Sequence, residues 1–130
     1  MKGWTLTTVE TTKGFIFGGF STAEWESPPG IYSEFYKTDP HSFLFSVNEG
    51  SKYPITRGDR GAIGCHRDWC PVFGTYISWD LVIWSDSNNN TKSYCTANRD
   101  SFKLPAAKGS QYPSINGGEE SFQVKQFEVY

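Results

Sequence analysis

Short segments of alternating apolar and polar residues, separated by turn residues, run along most of the chain. Residues 4–10 alternate between two faces, Thr12, Lys13 and Gly14 turn the chain, and residues 15–20 follow at once. A period of two is typical of a half-buried β-strand, and Gly14 supplies the positive φ that a tight turn requires. The first two strands are therefore predicted to form a hairpin.

Two adjacent glycines, Gly18 and Gly19, interrupt the second strand of this hairpin. Glycine weakens a strand interior, so it marks a bulge or a place where another backbone or an aromatic ring lies close. The alternative is that the strand ends there.

Alternation predicts further strands at residues 42–47, 52–56, 63–65, 76–84 and 93–97. Residues 76–84 carry apolar groups in both phases, which indicates a central strand with cover on both faces. Residues 21–41 and 66–72 keep no period and are predicted to be loops.

The last segment changes phase. Phe122 and Val124 share one face, whereas Phe127 and Val129 share the other. Since one extra residue shifts the register by one, we predict a β-bulge near Lys125 and a strand that runs to the end of the sequence.

Composition agrees with an all-β fold. The 130 residues are 17% aromatic and include 13 Gly and 7 Pro, and sheets favour aromatic side chains while their connections use Gly and Pro. We predict one domain, residues 1–130, folded as an antiparallel β-sandwich of about eight or nine strands with long loops and little helix. A net charge of -2 argues against nucleic-acid binding, and no apolar run is long enough for membrane insertion.

Few residues suit catalysis or metal binding. Cys65 and Cys70, separated by four residues, can close a small disulfide loop or remain buried thiols, and Cys95 is left over. Cys65 and His66 are adjacent and lack the spacing of a tetrahedral metal site. Nothing in the sequence fixes a Cys–His dyad or a pair of catalytic carboxylates. We therefore predict no enzyme activity, no metal and no cofactor.

Three predicted loops combine aromatic with polar residues, which is how proteins hold sugar rings and their hydroxyls. The candidate ligand-binding residues are Trp25 and Glu26 in the first loop, His66, Arg67, Asp68 and Trp69 in the second, and Asn88 and Asn89 in the third. The alternative is that Trp25 and Trp69 cover the edge of the core. The other three tryptophans, Trp4, Trp79 and Trp84, lie on predicted strands and are expected in the core.

A series of short phrases follows a fixed order: KGFIFGGF at 13–20, Trp25, HSFLFSVN at 41–48, Cys65, PVFG at 71–74, DLVI at 80–83, NNTKSY at 89–94 and FQVKQFEVY at 122–130. Their order and spacing resemble those of TLDc domains over nearly the whole chain. The resemblance implies a β-sandwich flanked by a little helix, in a family tied to oxidative-stress protection and to binding of the vacuolar proton pump. Full TLDc domains carry a helical portion ahead of the Gly-Gly strand, so the β-sandwich portion is expected here without it. The resemblance implies no catalytic residues.

Two functions compete at this point. The main hypothesis is a non-enzymatic carbohydrate-binding protein, a small lectin that binds oligosaccharides or glycoproteins through loops at one end of the sandwich. The alternative is an intracellular TLDc-type protein-interaction module in oxidative-stress protection or vacuolar proton pump binding. The identity of the sugar is left open.

Assembly and compartment follow from the lectin hypothesis. Because several weak sites bind more strongly together, we expect a homo-oligomer formed by pairing of sheet edges or faces. An extracellular location is favoured over a cytoplasmic one. Asn89, Asn90 and Thr91 form a glycosylation sequon, and a glycan there would establish passage through the secretory pathway.

Overall fold

Two antiparallel sheets pack face to face. The computed structural model describes residues 4–22, 34–56, 61–66, 69–75, 78–84, 86–97 and 102–130. The five-stranded sheet has the order β11 (Val124–Val129), β1 (Thr5–Thr11), β2 (Ile16–Ser21), β4 (Phe43–Ser46) and β5 (Ser51–Pro54). The six-stranded sheet has the order β10 (Ser121–Phe122), β9 (Ser93–Cys95), β8 (Ser78–Trp84), β7 (Trp69–Thr75), β6 (Gly61–His66) and β3 (Glu34–Thr38). The predicted all-β sandwich is confirmed.

Helical structure in the described ranges amounts to one 3-10 turn at Ser114–Asn116. The described ranges contain no helix that is long and apolar enough to cross a membrane.

The first hairpin forms as predicted. β1 and β2 pair from Thr5 with Ser21 to Glu10 with Ile16. Gly14 closes the turn with a φ of 92°, and its N–H donates to the carbonyl of Thr11 at 3.0 Å. The turn therefore depends on the one residue type that adopts this φ without strain.

The two glycines of β2 mark close approaches. A Cβ on Gly18 would lie 1.8 Å from the carbonyl oxygen of Thr7, and a Cβ on Gly19 would lie 2.4 Å from the ring of Phe73. Both distances are shorter than any non-bonded contact allows. The backbone near Gly18 belongs to the neighbouring strand β1, and the ring near Gly19 belongs to the opposite sheet. The predicted close approach to this strand is therefore confirmed.

The phase change in the last segment is a β-bulge. Thr11 of β1 pairs with Val124, but Glu10 pairs with Gln126, so Lys125 is the extra residue. Beyond Val129, Tyr130 exchanges two backbone hydrogen bonds with Leu6, at 3.1 and 2.8 Å. The predicted bulge near Lys125 and the continuation of the strand are both confirmed.

The predicted central strand is also correct. β8 lies between β7 and β9, and consecutive residues facing opposite sides, Leu81 and Val82, are both fully buried. Its cover on both faces explains why apolar residues occupy both phases.

Two predicted loops contain strands. Residues 21–41 include β3, an edge strand whose partner in the described sheet is β6. Residues 66–72, predicted as a binding loop, instead supply the last residue of β6, His66, and the first residues of β7, beginning at Trp69. The register of β7 shifts between Trp69 and Val72, which accommodates Pro71, a residue without an N–H to donate. The alternation of apolar and polar residues does not predict these two strands, because they are stabilised by pairing with neighbouring strands.

The core between the sheets is rich in phenylalanine. The rings of Phe17 and Phe122 meet edge to face at 5.1 Å, and those of Phe73 and Phe102 at 6.2 Å. All four side chains are buried, together with Leu44, Leu81 and other aliphatic residues from both sheets. Edge-to-face pairs of this kind stabilise a core beyond the area that they bury.

A buried carboxylate ties the end of β2 to the start of β4. The two carboxylate oxygens of Asp39 accept hydrogen bonds from the Ser21 hydroxyl, from the N–H and hydroxyl of Thr22, and from the N–H of His41, at 2.6–3.1 Å. Burial by itself raises the pKa of Asp39, but these hydrogen bonds outweigh it and hold the pKa below the usual 3.8. The ionised form of Asp39 is therefore the one that the fold stabilises.

Replacing Gly19 by alanine should destabilise the fold by about 1–3 kcal/mol, because the new methyl group collides with the buried ring of Phe73. Urea denaturation would show a lower midpoint with an unchanged slope. As a control, Phe73→Leu makes room for the methyl group, so Gly19→Ala should cost less in that background than in the wild type. Strictly additive losses would contradict the contact.

Replacing Asp39 by asparagine should cost about 1.5–3 kcal/mol of unfolding free energy at pH 7, since an ionised acceptor of several hydrogen bonds is lost. The folded-state pKa lies below 3.8, so this contribution is present above pH 3.8 and disappears as the pH falls through the lower folded value. The gap between wild type and variant, measured by denaturation from pH 7 down to pH 2, should therefore narrow in acid. The exposed Glu120→Gln is the control, and a gap independent of pH would refute the role of the charge.

Candidate functional site

A row of aromatic rings lies on the outer face of the five-stranded sheet. The rings of Trp4 and Phe20 are 5.9 Å apart, and those of Phe20 and Phe43 stack at 5.1 Å with an angle of 18° between their planes. The Nζ atom of Lys52 lies 4.7 Å from the centre of the Phe43 ring. We call Trp4, Phe20 and Phe43 the aromatic row.

The register of the sheet builds this row. Leu6 of β1 lies directly opposite Phe20 of β2, Phe20 lies opposite Phe43 of β4, and Phe43 lies opposite Pro54 of β5. Tyr130, bonded to the backbone of Leu6, continues the line beside β1. Apolar side chains therefore cross the whole width of the sheet on its outer face.

The first half of β1 places threonines inside and apolar residues outside. Its buried side chains are Thr5, Thr7, Val9 and Thr11, whereas its outer face carries Leu6, Thr8 and Glu10 and, just before the strand, Trp4. Trp4 is 64% exposed, so the prediction that it belongs to the core is wrong. Sheets usually place their larger apolar groups inside, and this outer face departs from that rule.

Charged groups on the outer face of β1 and β11 are already engaged with neighbouring side chains. Glu10, opposite Ile16 at the far end of β1 from the row, accepts hydrogen bonds from Lys125 at 3.5 Å and from Gln126 at 3.1 Å. The hydroxyl of Tyr130 donates to Glu128 at 2.6 Å, and this hydrogen bond, assisted by the charge of Glu128, raises the pKa of Tyr130. The outer face thus presents apolar groups with a mixed, largely paired rim of charge.

A polar cleft of about 320 Å³ lies apart from the aromatic row. It lies at the β1–β2 turn and is lined by Thr11, Thr12, Lys13, Thr91, Asn116, Glu119, Ser121, Phe122 and Gln123. Lys13 and Glu119 form an ion pair at 2.5 Å, and the buried Asn116 amide donates to the carbonyls of Glu119 and Ser121. Among the described residues, the lining combines hydroxyls, amides, a neutralised pair of charges and the ring of Phe122, without a thiol or an imidazole.

The reactive groups elsewhere in the described ranges have structural surroundings. Burial raises the pKa of the Cys95 thiol, which opposes formation of a nucleophilic thiolate. Asp39 is occupied by its four donors. No cluster of three or more metal-ligating side chains occurs in these ranges.

Comparison with known proteins gives the family. The model of the TLDc domain matches residues 1–130. The chain belongs to the TLDc domain family. A curated relative, the MTOR-associated protein MEAK7 of Danio rerio, is 46% identical over 46 residues. That match covers 35% of the TLDc chain and 9% of the relative, so the chain spans less than a tenth of the relative's length.

The residues predicted to bind a ligand are distributed unevenly over this TLDc domain. Trp25, Glu26, Arg67 and Asp68 lie outside the described residues. His66 and Trp69 end and begin the paired strands β6 and β7, and their side chains also lie outside what the structure describes. A sugar site formed by these residues stays a prediction.

Asn88 and Asn89 share the turn that follows β8 and are exposed. The carbonyl of Asn88 accepts a hydrogen bond from Gln123 at 2.8 Å, and the amide of Asn89 donates to Asp86 at 2.7 Å. Trp69 pairs with Trp84 at the end of β8, so the start of β7 and the asparagine turn lie at the same end of the sheet. The structure therefore assembles two of the three predicted segments at the backbone level.

The aromatic row of the TLDc domain was not among the predicted site residues. Phe20 and Phe43 are 23 positions apart in the sequence, and only strand pairing brings their rings together. A signal was present, because residues 16–20 and 43–45 place bulky apolar groups in both phases of their strands. A strand of that kind has both faces covered or has one face prepared for contact.

Replacing Trp4 by alanine should change the unfolding free energy by about 1 kcal/mol or less. Trp4 is 64% exposed, and its main described contact is the ring of Phe20. Phe73→Ala, which empties a fully buried site, should cost about 3–5 kcal/mol. Urea denaturation of the two variants checks this contrast, and comparable losses would place Trp4 in the core.

Proposed function

We propose that this TLDc domain is a non-enzymatic protein-interaction module whose partner docks on the outer face of the five-stranded sheet. The observation that carries the proposal is the arrangement at the start of β1, with Thr5 and Thr7 inside and Trp4 and Leu6 outside. Side chains placed this way contribute little to the core of the free domain. They are suited to contact with another protein, whose surface would cover them.

The composition of the row matches the centre of a protein interface. Aromatic side chains are enriched there, and a few of them contribute most of the binding free energy. Phe20 and Phe43 are held by strand register and stack on each other, and the ring of Trp4 lies against Phe20. Phe20 and Phe43 therefore lose little side-chain freedom on binding. Lys52, over Phe43, adds a cation at one end of the row.

The partner to test first is the vacuolar proton pump, because the TLDc family is tied to it and to oxidative-stress protection. The Danio rerio relative is named for association with another protein, which agrees with an interaction role for the domain. In this proposal, protection against oxidation is a consequence of partner binding and requires no redox chemistry in the domain itself. Burial of Cys95, which limits thiolate chemistry, supports that division.

The lectin hypothesis gains no support from the family match. Of its candidate residues, those with described contacts, Asn88 and Asn89, already hold the asparagine turn in place through Gln123 and Asp86. The interaction module is therefore preferred, and sugar binding becomes a rival outcome in its test.

Trp4→Ala should weaken binding to the purified vacuolar proton pump by roughly 30-fold or more. Loss of a central aromatic side chain from an interface typically costs about 2 kcal/mol or more of binding free energy. Biolayer interferometry with the immobilised domain measures it. The matched control is Val47→Ala. Val47 is 58% exposed but lies beside Ile16, at the other end of β2 from the aromatic row.

Three results would contradict the proposal. Pump binding that is equal for wild type, Trp4→Ala and Val47→Ala would remove the outer face as the docking site. Absence of pump binding by the wild type would remove the pump as the partner. Specific signal on a glycan array, lost on Asn88→Ala or Asn89→Ala but kept by Trp4→Ala, would restore the lectin hypothesis.

A further inference from the structure

The two edges of the five-stranded sheet differ in how well they are protected. At one edge, β5 has four residues, ends at Pro54 and exposes Lys52. Short length, proline and lysine are features that keep an edge strand from pairing with another chain. At the other edge, β11 has six residues, no proline, and β1 as its partner within the described sheet; its bulge and its exposed Lys125 lie near its start, which leaves Gln126 to Val129 regular.

The backbone of β11 has groups available for a further strand. Leu6 and Tyr130 exchange both of their backbone hydrogen bonds. In an antiparallel ladder, hydrogen-bonded and non-hydrogen-bonded pairs alternate. Val129 and Phe127 occupy the alternate, non-hydrogen-bonded positions of β11. Their N–H and C=O groups therefore point away from β1.

The side chains of the same two residues are apolar and exposed. Phe127 lies opposite Val9 and Val129 lies opposite Thr7, so both are on the core side of the sheet. Val9 and Thr7 are fully buried, but Phe127 is 39% and Val129 is 36% exposed. The packed core reaches β11 at Val124, and farther along the strand β11 combines free backbone groups with uncovered apolar side chains.

We propose that β11 pairs with β11 of a second copy of this chain, antiparallel and with Phe127 on the two-fold axis. In this register Phe127 faces Phe127 of the other copy, and Gln126 faces Glu128, a carboxamide opposite a carboxylate. A shift by one pair centred on Glu128 would place two carboxylates opposite each other, which is unfavourable. The sequence of the edge is therefore self-complementary in one register and self-repelling in its neighbour.

The pairing joins two five-stranded sheets into one sheet of ten strands. The two-fold axis is perpendicular to this sheet, so the outer faces of both copies lie on the same side. Both aromatic rows then face the same way, and Tyr130 of each copy lies between them. This consequence rests on the proposed function: two docking rows on one face would bind a partner with two sites more tightly than one row does.

Sedimentation velocity of the full chain tests the dimer itself, without any partner. The wild type should show a concentration-dependent monomer–dimer equilibrium, and Phe127→Lys should raise the dimer dissociation constant at least about tenfold, because it places an inward-pointing charge on the edge. Trp4→Ala is the matched control, since it removes an exposed aromatic side chain away from β11 and should leave the dimer unchanged. Thermal melting checks that both variants remain folded.

Cysteine cross-linking tests the register. With Phe127 on the axis, the two Cα atoms of a Phe127→Cys dimer are about 5.5 Å apart, within the range of a disulfide. The Cα atoms of Glu128→Cys are separated by a further two residues along the strand, beyond the limit of about 7 Å. On a non-reducing gel, Phe127→Cys should give a covalent dimer that the unaltered chain and Glu128→Cys do not give.

The outcomes that overturn the inference are distinct from those that test partner binding. A wild type that stays monomeric up to about 100 µM, a dimer that survives Phe127→Lys, or a dimer lost in Trp4→Ala would each reject pairing through β11. Equal cross-linking of Glu128→Cys and Phe127→Cys would reject the register. None of these experiments uses the pump, so they stand whether or not the pump binds.

Discussion

The contact between the ring of Phe73 and the backbone of Gly19 sets how closely the two sheets approach. No side chain larger than hydrogen fits at position 19, since a Cβ there would lie 2.4 Å from the ring. Phenylalanines then fill the space between the sheets, and the neighbouring strand β1 contributes only threonines and Val9 to the inside. Its larger apolar residues, Trp4 and Leu6, are left on the outside. The aromatic row on the outer face is thus a consequence of how the interior is packed.

Features of the fold that depend on local alternation could be predicted from the sequence. The first hairpin, the bulge at Lys125 and the central strand β8 each leave a mark within about ten consecutive residues. The strands β3 and β7 could not be predicted, because the first is held by its single neighbour and the second contains Pro71, which argues against a strand until a register shift accommodates it.

The candidate site was less predictable than the fold. Alternation shows that Trp4 and Leu6 share a face of β1, but it does not show which face meets the second sheet. The second sheet, which packs on the inner face through residues such as Phe73, is formed by segments far along the chain. The stacking of Phe20 on Phe43 likewise exists only after β2 and β4 pair. The loops rich in tryptophan and asparagine were predicted as the site because their composition is evident within a single short segment. The aromatic row forms only when distant strands pair.

The blocked edge at β5 limits what an open edge at β11 can produce. A sheet with two open edges can add copies at both ends, and the products are fibres of unlimited length. Here Pro54 and Lys52 close one end, so within this sheet growth through β11 uses the available edge and stops at a closed pair. The short, proline-ended edge at the far side of the sheet therefore limits the assembly to a pair.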